Sequence, residues 1–537
     1  MNRARGSATG VLLAFCFVGC GSSPSATEPE GSGGSGAGAS GSTGSNVSTG
    51  SEGTGTSGSA SSGGVGGAGG DPTGHGGAGG SSTGGGTPVV EPALVVSGPN
   101  NYWMMPGAPT EVTSGNADVT VDAATTYQRW DGFGGSFNEV GWHVLSMLSD
   151  AERSRAIKLL FDAAEGAAFV YGRIPIGASD YAMDRYTLNE TPNDLTMTSF
   201  SIDRDKEKLI PYIKAALAVR PDLHLWASPW TPPTWMKSSG AMDGGRMKDD
   251  AGILEAYALY FAKFVEAYAE EGITIEAIHP QNEPNYETRY PSCLWTGALM
   301  AKFIGTYLGP TFDERGLTAQ IYLGTMSNDG AAADVAILGA VTGDSAAMRY
   351  VKGFGLQWNM LGSVSGLKSR NLPILQTEHK CGNYPWNPAG LPTFNPDRPP
   401  NDHAYAEESW TLIRDWIKAG VTSYSAWNMV LDTAGKNLDS QRPWPQNALL
   451  TVDTASKTLN VTPVYHVFRH VSQYVDPGAM RVGTNGGDAL AFKNPDGTIV
   501  TILYNSGNSA KTTILGVGDK KLEFSVPAHG WATVNWK

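Results

Sequence analysis

The strongest constraint on the fold of this 537-residue chain is an alternation of strand and helix patterns between about Tyr127 and Val430. The strand candidates are Asp131–Ser136, Ala168–Pro175, Leu223–Pro229, Thr274–Glu283, Gln320–Thr325, Gly353–Trp358, Pro373–Glu378 and Thr422–Asn428. One intervening stretch carries large apolar residues at helical spacing, from Tyr257 to Tyr268, and Gly272 closes it. Eight strands alternating with helices predict an α/β fold of the (β/α)8 TIM-barrel type.

A doubly wound parallel sheet is the alternative architecture for the same alternation. Such a sheet often carries a glycine-rich phosphate loop after its first strand. The first strand here contains Gly132-Phe133-Gly134-Gly135, which lacks the G-x-G-x-x-G spacing and is better interpreted as a tight strand end. The barrel is therefore the favoured fold.

The last part of the chain changes from helical spacing to short alternating runs. These runs are Ala489–Lys493, Thr498–Asn505, Lys511–Leu515, Lys521–Val526 and Trp531–Trp536. Turn residues such as Asn494-Pro495-Asp496-Gly497 separate them. The pattern predicts an appended antiparallel β-sandwich, to which the stretch from Val95 to Tyr127 is expected to add strands. We place the barrel at residues 125–450 and the sandwich at 91–124 and 451–537.

The N-terminus has the pattern of an export signal. Arg3 and Arg5 precede an apolar stretch from about Ala8 to Val18, which is too short to span a bilayer. The Gly19-Cys20 sequence that follows resembles the bacterial lipoprotein cleavage box, and this resemblance implies a signal peptide over 1–20 and lipidation of Cys20. Ordinary secretion is the alternative. Either reading predicts an exported protein, and the lipoprotein reading predicts a cell-envelope or cell-surface protein anchored in a membrane.

Residues 21–90 are dominated by Gly, Ser and Thr and contain no aromatic residue. Such a segment cannot bury enough apolar surface to offset its ordering entropy, so the composition predicts a disordered linker. In this arrangement the linker would tether the folded part of the chain to a lipid on Cys20.

Composition excludes some classes of function. The net charge is −13, without long charged runs, which argues against nucleic acid as a partner. The 15 Trp and 20 Tyr residues favour a carbohydrate partner, because flat aromatic faces stack on sugar rings, although core packing explains many of them equally well. Of the four cysteines, Cys16 lies in the predicted signal peptide and Cys20 is assigned to lipidation, so Cys293 and Cys381 are left as a pair or as two lone thiols. Neither a metal site nor a cofactor is expected, and the oligomeric state is not predicted.

Two of the predicted strands end in a glutamate. The fourth leads into Asn282-Glu283-Pro284 and the seventh into Glu378. Chemistry in a barrel sits at the carboxyl ends of the strands, and strands four and seven face each other across its mouth. Glycoside cleavage needs one carboxyl to protonate the leaving oxygen and a second to attack the sugar, roughly 5–5.5 Å away in retaining enzymes. The pair therefore predicts a glycosidase.

An ordered set of motifs covers nearly all of the chain after Thr125, and it resembles glycoside hydrolase family 30, in particular its glucosylceramidase-type members. The matching segments are Gly132-Phe133-Gly134-Gly135, Arg173-Ile174-Pro175, Ala227-Ser228-Pro229-Trp230, Pro233-Thr234-Trp235, Asn282-Glu283-Pro284, Thr377-Glu378, Trp427-Asn428 and Arg481-Val482-Gly483. Asn-Glu-Pro alone occurs in many barrel glycosidases. The complete series in this order is specific.

The resemblance implies a retaining β-glycosidase with Glu283 as acid/base and Glu378 as nucleophile. It implies that Asn282 hydrogen-bonds the sugar 2-hydroxyl and that Arg173 supports the carboxylates. The substrate-binding residues implied by the resemblance also include Trp230, Trp427, Trp358 and Glu139; the first two would shape the −1 subsite. A cation beside the nucleophile favours its ionised form.

Two departures from the family leave the substrate open. Glu139 stands where we align an Asp that binds sugar hydroxyls, and Gln357-Trp358-Asn359 stands where His-Trp-Tyr is frequent. A β-linked glucan, a galactan, a xylan-derived oligosaccharide or a fucoside would suit the same residues. An endo-acting β-1,6- or β-1,4-glycanase is one alternative function. A non-catalytic surface lipoprotein that binds glycans is another, although binding alone would not need both glutamates.

Overall fold

The computed structural model describes residues 93–327, 332–381, 399–438 and 446–537. The predicted signal peptide, Cys20 and the 21–90 linker lie outside these ranges. Within the described ranges, no helix combines the length and the apolar character that crossing a membrane requires.

Four strands precede the barrel: β1 (Ala93–Gly98), β2 (Asn101–Met104), β3 (Thr110–Glu111) and β4 (Val119–Arg129). The barrel itself has β5 (Gly132–Ser136), β6 (Tyr171–Ile176), β7 (His224–Pro229), β8 (Ala277–Ile278), β9 (Gln320–Met326), β10 (Val351–Gln357), β11 (Ile374–Glu378) and β12 (Ser423–Asp432). These eight strands pair in parallel and in chain order, and β12 pairs with both β11 and β5. The sheet is therefore closed, which confirms the predicted barrel.

Helices lie between the barrel strands, as the alternation predicted. They are α1 (Glu139–Leu145), α2 (Asp150–Phe161), α3 (Asp203–Lys208), α4 (Ile210–Val219), α5 (Ala251–Glu270), α6 (Gly297–Lys302), α7 (Gly309–Arg315), α8 (Ala332–Gly343), α9 (Ser345–Tyr350), α10 (Val364–Leu367) and α11 (His403–Ala419), with α12 (Pro463–Ser472) later in the chain. Helix α5 matches its sequence pattern: the Asp250 side chain caps its first turn, and Gly272, just past its end, has φ of 77°.

The sheet of the barrel continues past the predicted boundary at residue 450. That boundary falls inside β13 (Ala448–Asp453), which pairs with the second half of β12 and with β14 (Thr458–Val461). The boundary at 125 falls inside β4, which belongs to the other sheet. Because β12 extends beyond the barrel rim, it can pair there with a strand that the alternation alone does not predict.

The β-sandwich contains β1–β4 and six C-terminal strands. The latter are β15 (Met480–Asn485), β16 (Asp488–Lys493), β17 (Ile499–Asn505), β18 (Lys511–Val517), β19 (Lys520–Val526) and β20 (Gly530–Trp536). Their order is β2-β1-β20-β17-β16-β15-β4-β18-β19-β3, so the first and last strands of the described chain are neighbours. Their inner side chains enclose a separate apolar cluster. This confirms the sandwich and the strands expected from its N-terminal part.

Barrel and sandwich share buried aromatic contacts. Trp130 is fully buried, with its ring 4.8 Å from that of Phe133 on β5 and 5.9 Å from that of Phe492 on β16. His470 on α12 contacts the hydroxyls of Ser97 and Thr533 in the sandwich at 2.8 Å each. Burial of one large apolar side chain contributes about 1.5–3 kcal/mol, so these contacts hold the barrel against the sandwich.

Candidate active site

The carboxyl ends of the barrel strands bring the predicted residues together. Arg173 lies on β6, Glu378 ends β11, and Asn282 and Glu283 lie in the segment after β8. Parallel strands in a closed barrel end at one rim, so residues far apart in sequence converge there. Strand β8 is only two residues long, so Asn282 and Glu283, four and five residues past its end, sit on irregular backbone.

Arg173 is the centre of the hydrogen-bond network. Its side chain is fully buried and donates from Nη1 to Glu378 Oε2 at 2.6 Å and from Nη2 to Asn282 Oδ1 at 2.6 Å. It also donates to the Ser228 hydroxyl at 3.1–3.2 Å. A planar guanidinium can serve two acceptors in fixed directions, so Arg173 sets the relative positions of the carboxylate and the amide.

The Asn282 amide has one chemically sensible orientation. Its Oδ1 accepts from Arg173 at 2.6 Å, from the Thr325 hydroxyl at 2.8 Å and from Gln357 Nε2 at 3.1 Å. An amide nitrogen in that place would face the donors of Arg173 and Gln357, which excludes the flipped form. The NH2 group is thus directed away from this network and is available as a donor to a ligand.

Glu283 adopts an unusual backbone conformation. Its φ of 49° lies in the left-handed region, which costs a non-glycine residue about 1–2 kcal/mol. The conformation is held by the Glu283 N–H, which donates to the Thr325 carbonyl at 2.9 Å. The Tyr290 hydroxyl donates to Glu283 Oε2 at 3.2 Å. Strain of this kind concentrates at functional sites, where it fixes the direction of a side chain.

The two glutamates have opposite electrostatic surroundings. Burial, together with the neighbouring charges of Glu378 and Asp180, raises the pKa of Glu283 to about 8. Burial also raises the pKa of Glu378, but the Arg173 guanidinium bonded to it stabilises the carboxylate and opposes that rise. Since only Glu378 has a cation at hydrogen-bond distance among the described residues, the pair loses its first proton there. Within the pair, the negative charge is therefore favoured on Glu378 and the proton on Glu283.

Aromatic rings enclose the guanidinium. The Arg173 Cζ lies 4.4 Å from the ring centre of Trp230, 5.1 Å from that of Trp427 and 5.2 Å from that of Trp226. Trp230 and Trp427 also contact each other, with ring centres 5.3 Å apart. Both rings therefore adjoin the carboxylate network, and their contact with a sugar stays a prediction.

Trp358 joins the site through its backbone. Its N–H donates to the Glu378 carbonyl at 3.1 Å, and its ring centre lies 5.9 Å from the Lys380 ammonium. The side chain is partly exposed at the rim. Its predicted role in substrate binding is not tested by these contacts.

The structure does not bring Glu139 into this network. Both carboxylate oxygens of Glu139 bond Arg204 at 2.8 Å, and Oε2 also accepts from the Met183 N–H at 2.7 Å. Among the described residues, no contact joins Glu139 to either catalytic candidate. The assignment of Glu139 to sugar binding rests on alignment of the α1 segment and stays a prediction; in the fold this carboxylate forms an ion pair with Arg204.

Asp180 is an acid in the site that the sequence reasoning missed. It follows β6 and is 5% exposed, and its Oδ1 has no hydrogen-bond partner among the described residues. Burial, together with the charge of Glu378, raises its pKa to about 8, although Arg173 and a hydrogen bond with the Asn437 side chain oppose the rise. The strand-end rule that pointed to Glu283 and Glu378 also applies to Asp180, four residues past the end of β6, and could have found it.

Cys293 and Cys381 are free buried thiols. Burial raises the pKa of Cys381 well above its usual value, so the thiol is protonated and unreactive near neutral pH. This resolves the alternative left open by the sequence in favour of two lone thiols.

Comparison with known proteins divides the chain into the same two domains, the barrel and the sandwich. Residues 130–475 match the model of the glycosyl hydrolase family 30 TIM-barrel domain, and residues 478–534 match that of the family 30 beta sandwich domain. The lysosomal acid glucosylceramidase of Mus musculus is 27% identical over 449 residues, which cover 78% of this chain and 83% of the relative. The endo-1,6-beta-D-glucanase neg1 of Aspergillus fumigatus is 24% identical, covering 77% and 87% respectively.

A solved structure shares the two-domain fold. The endo-beta1,6-glucanase BT3312 is 25% identical, with a TM-score of 0.71, and the match covers 83% of this chain and 99% of that one. The similarity thus extends across both domains.

Proposed function

Because this chain belongs to glycosyl hydrolase family 30, we propose that Glu283 and Glu378 are its catalytic pair. The protein is a glycoside hydrolase that acts on β-linked sugars, and the retaining mechanism is typical of its family. The single observation that carries the assignment is the asymmetry of the pair. Glu378 is bonded to a buried arginine, whereas Glu283 has no cation at hydrogen-bond distance in the described part of the chain and its raised pKa favours the protonated form.

In the first step Glu378 attacks the anomeric carbon while Glu283 donates its proton to the leaving oxygen. The bond to the leaving group breaks and a glycosyl ester forms on Glu378. Among the described residues, the hydrogen bonds to the Glu378 carboxylate come from Arg173 and Gln357, and both fall on Oε2. Oε1 is therefore the oxygen that attacks, while Oε2 stays bonded to its donors.

In the second step water attacks the same carbon from the side that the leaving group vacated. Glu283, now ionised, takes one proton from that water, and Glu378 leaves as a carboxylate that Arg173 stabilises. Two inversions give retention of configuration. The enzyme returns to its initial protonation state.

The remaining residues position the sugar. The free NH2 of Asn282 serves the 2-hydroxyl, and the unpaired Oδ1 of Asp180 serves a further hydroxyl. Trp230 and Trp427 provide the aromatic wall beside the charged groups. Trp358 lines the rim.

We propose a β-linked glucosyl unit as the sugar that is attacked. The names of the relatives refer to glucose both as a glucosylceramide and as a β-1,6-glucan. Aryl β-glucoside, β-galactoside, β-xyloside and β-fucoside, assayed beside glucosylceramide and β-1,6- and β-1,4-linked polymers, test this proposal. Preference for a sugar other than glucose overturns it, and rapid shortening of a polymer marks endo action.

The roles of the two glutamates can be separated by azide rescue. In Glu378→Ala azide replaces the nucleophile and gives an α-glycosyl azide, whereas in Glu283→Ala it attacks the glycosyl ester and gives a β-glycosyl azide. Glu270→Ala, at the exposed end of α5, is the matched control and should retain activity. The same anomer from both variants, or wild-type turnover by Glu378→Ala, contradicts the assignment.

We also propose that Cys20 carries a lipid and anchors the enzyme at the cell envelope, although this residue lies outside the described part of the chain. Radiolabelled palmitate incorporated by the full chain in a bacterial host, but not by Cys20→Ser, supports the proposal. Unlabelled wild-type protein released into the medium supports ordinary secretion and overturns it.

A further inference from the structure

Gln357 occupies an unusual position at the end of β10. Its side chain is fully buried, and its Nε2 lies 3.1 Å from Glu378 Oε2, 3.1 Å from Asn282 Oδ1 and 3.3 Å from the Thr325 hydroxyl. One amide group thus touches both the proposed nucleophile and the residue proposed to bind the 2-hydroxyl. It also touches the hydroxyl group that helps to hold Asn282.

The orientation of this amide follows from its neighbours. Rotating it would place Gln357 Oε1 against Glu378 Oε2 and Asn282 Oδ1, so that acceptors would face acceptors. In the observed orientation Oε1 is buried without a hydrogen-bond partner among the described residues. A buried acceptor without a partner is costly to the fold and is rare in native proteins. The Gln357 amide nevertheless adopts this orientation, in which both of its N–H groups point at the site.

We propose that Gln357 is a positioning residue that holds the nucleophile and the sugar-binding amide in register through two N–H donors on one nitrogen. One hydrogen goes to Glu378 Oε2 and the other to Asn282 Oδ1. Gln357 therefore complements Arg173, which joins the same two atoms from β6 on the opposite side. This inference rests on the proposed catalytic role of Glu378.

A glutamine supplies these donors without carrying a charge. The charged or titratable groups that face Glu378 are Arg173 on β6, Asp180 after β6, Glu283 after β8 and Cys381 after β11, with His279 behind Arg173. An imidazole in place of Gln357 could acquire a second positive charge beside Arg173 in acid. The amide keeps the same donors at every pH, so the position of Glu378 does not change with protonation of its neighbour.

The test is the pH dependence of kcat/KM for hydrolysis of an aryl β-glycoside by the full chain. Gln357→Met keeps the length and removes both donors to the carboxylate and amide. Because a hydrogen bond to the ionised form lowers a carboxyl pKa, its loss should move the acid limb up by about one pH unit. Gln357→Glu keeps the shape of glutamine but places a second carboxyl beside Glu378, and should move the acid limb further in the same direction.

Gln376→Met is the matched control. Gln376 is an equally buried glutamine on β11, but its amide bonds, among the described residues, only to backbone groups, which are the Glu378 carbonyl and the Ser425 N–H. Loss of these bonds should lower the melting temperature without moving the acid limb. If Gln357→Met fails to fold, the pH profile of Gln357→Glu tests the inference, because the glutamate side chain has the same volume as glutamine.

The outcomes separate this inference from the proposed function. An acid limb that moves in both Gln357 variants and not in Gln376→Met supports the inference. An unmoved limb in folded Gln357→Met or Gln357→Glu overturns it, whatever the loss of rate. Failure of azide to rescue Glu378→Ala as the α-azide would instead overturn the proposed function, independently of the Gln357 result.

Discussion

Replacing Glu283 with glutamine should make the protein more stable at neutral and alkaline pH while removing its acid/base group. Glu283 is in the left-handed backbone region, lies beside two other acids and has no cation at hydrogen-bond distance among the described residues. The ionised form of Glu283 is therefore held at a cost to the fold. Glutamine retains an oxygen that can accept the Tyr290 hydrogen bond and has no charge to bury.

The size of this cost follows from the pKa. A rise from the ordinary value of 4.5 to about 8 corresponds to roughly 5 kcal/mol at about 1.36 kcal/mol for each pH unit. Glu283 is partly exposed and shares its proton equilibrium with Glu378, and both facts reduce the cost of its ionisation. We expect a gain of about 2 kcal/mol for Glu283→Gln at pH 8.5.

The sign of the pH dependence is specific. Between pH 4.5 and about pH 8, the folded wild type keeps a proton on Glu283 that the unfolded chain has released. The free energy of unfolding of the wild type therefore falls as the pH rises through that interval, and Glu283 does not lower it at pH values below the interval. The stabilities of wild type and Glu283→Gln should agree near pH 4.5 and diverge up to about pH 8.

Urea unfolding of the full chain at pH 4.5, 6.5 and 8.5 measures the difference. Glu270→Gln, which removes a carboxylate from the exposed end of α5, should differ from wild type by less than about 0.5 kcal/mol at each pH. A stability difference for Glu283→Gln that is constant with pH, or that is largest at pH 4.5, would refute the reasoning. The experiment needs no knowledge of the substrate.

Three further predictions concern activity. The basic limb of the kcat/KM profile should lie near pH 8, where Glu283 loses its proton. Tyr290→Phe should move this limb to higher pH, because the Tyr290 hydroxyl stabilises the Glu283 carboxylate. A basic limb below pH 6 would contradict the assignment. Asp180→Asn should lower kcat/KM for an aryl glycoside by about 100-fold through a lost sugar contact, whereas Glu139→Gln should mainly lower the melting temperature by weakening its ion pair. The reverse pattern would contradict the role of Asp180 and support Glu139 as the sugar ligand. Arg173→Lys should lower kcat/KM by about 1,000-fold, because an ammonium cannot reproduce the planar, two-pronged donor geometry of the guanidinium. Denaturant unfolding should show that the free energy of unfolding falls by about 2–4 kcal/mol. Retention of more than a tenth of wild-type kcat/KM would refute this role.

The sequence predicted the barrel well because hydrophobic periodicity is a local property. Each strand candidate overlaps an observed barrel strand, and Thr274–Glu283 differs most, with only Ala277–Ile278 paired as strand. That segment contains Pro280, which has no N–H to donate to a sheet. Extension of the barrel sheet by β13 and β14 was missed because it depends on how far β12 projects beyond the rim, which no local pattern records.

The candidate site was predictable in part for the same reason. Strand-end position and the ordered motifs identified Arg173, Asn282, Glu283 and Glu378, and the structure joins the first to the second and fourth directly. The contribution of Gln357 was visible in the sequence only as a departure from a family motif.

The sequence alone determined the number and order of the eight barrel strands, the change to a sandwich, and the presence of two acids at strand ends. Hydrophobic period, turn chemistry and residue type are all local properties of the chain. Tertiary structure alone decided which acid is paired with which cation. Within the described ranges, it bonds Glu139 to Arg204, leaves Oδ1 of buried Asp180 without a partner, and places an arginine beside Glu378 but not beside Glu283. The chemical difference between two like carboxyls depends on burial and on the charges within a few ångströms, and these are properties of the folded chain.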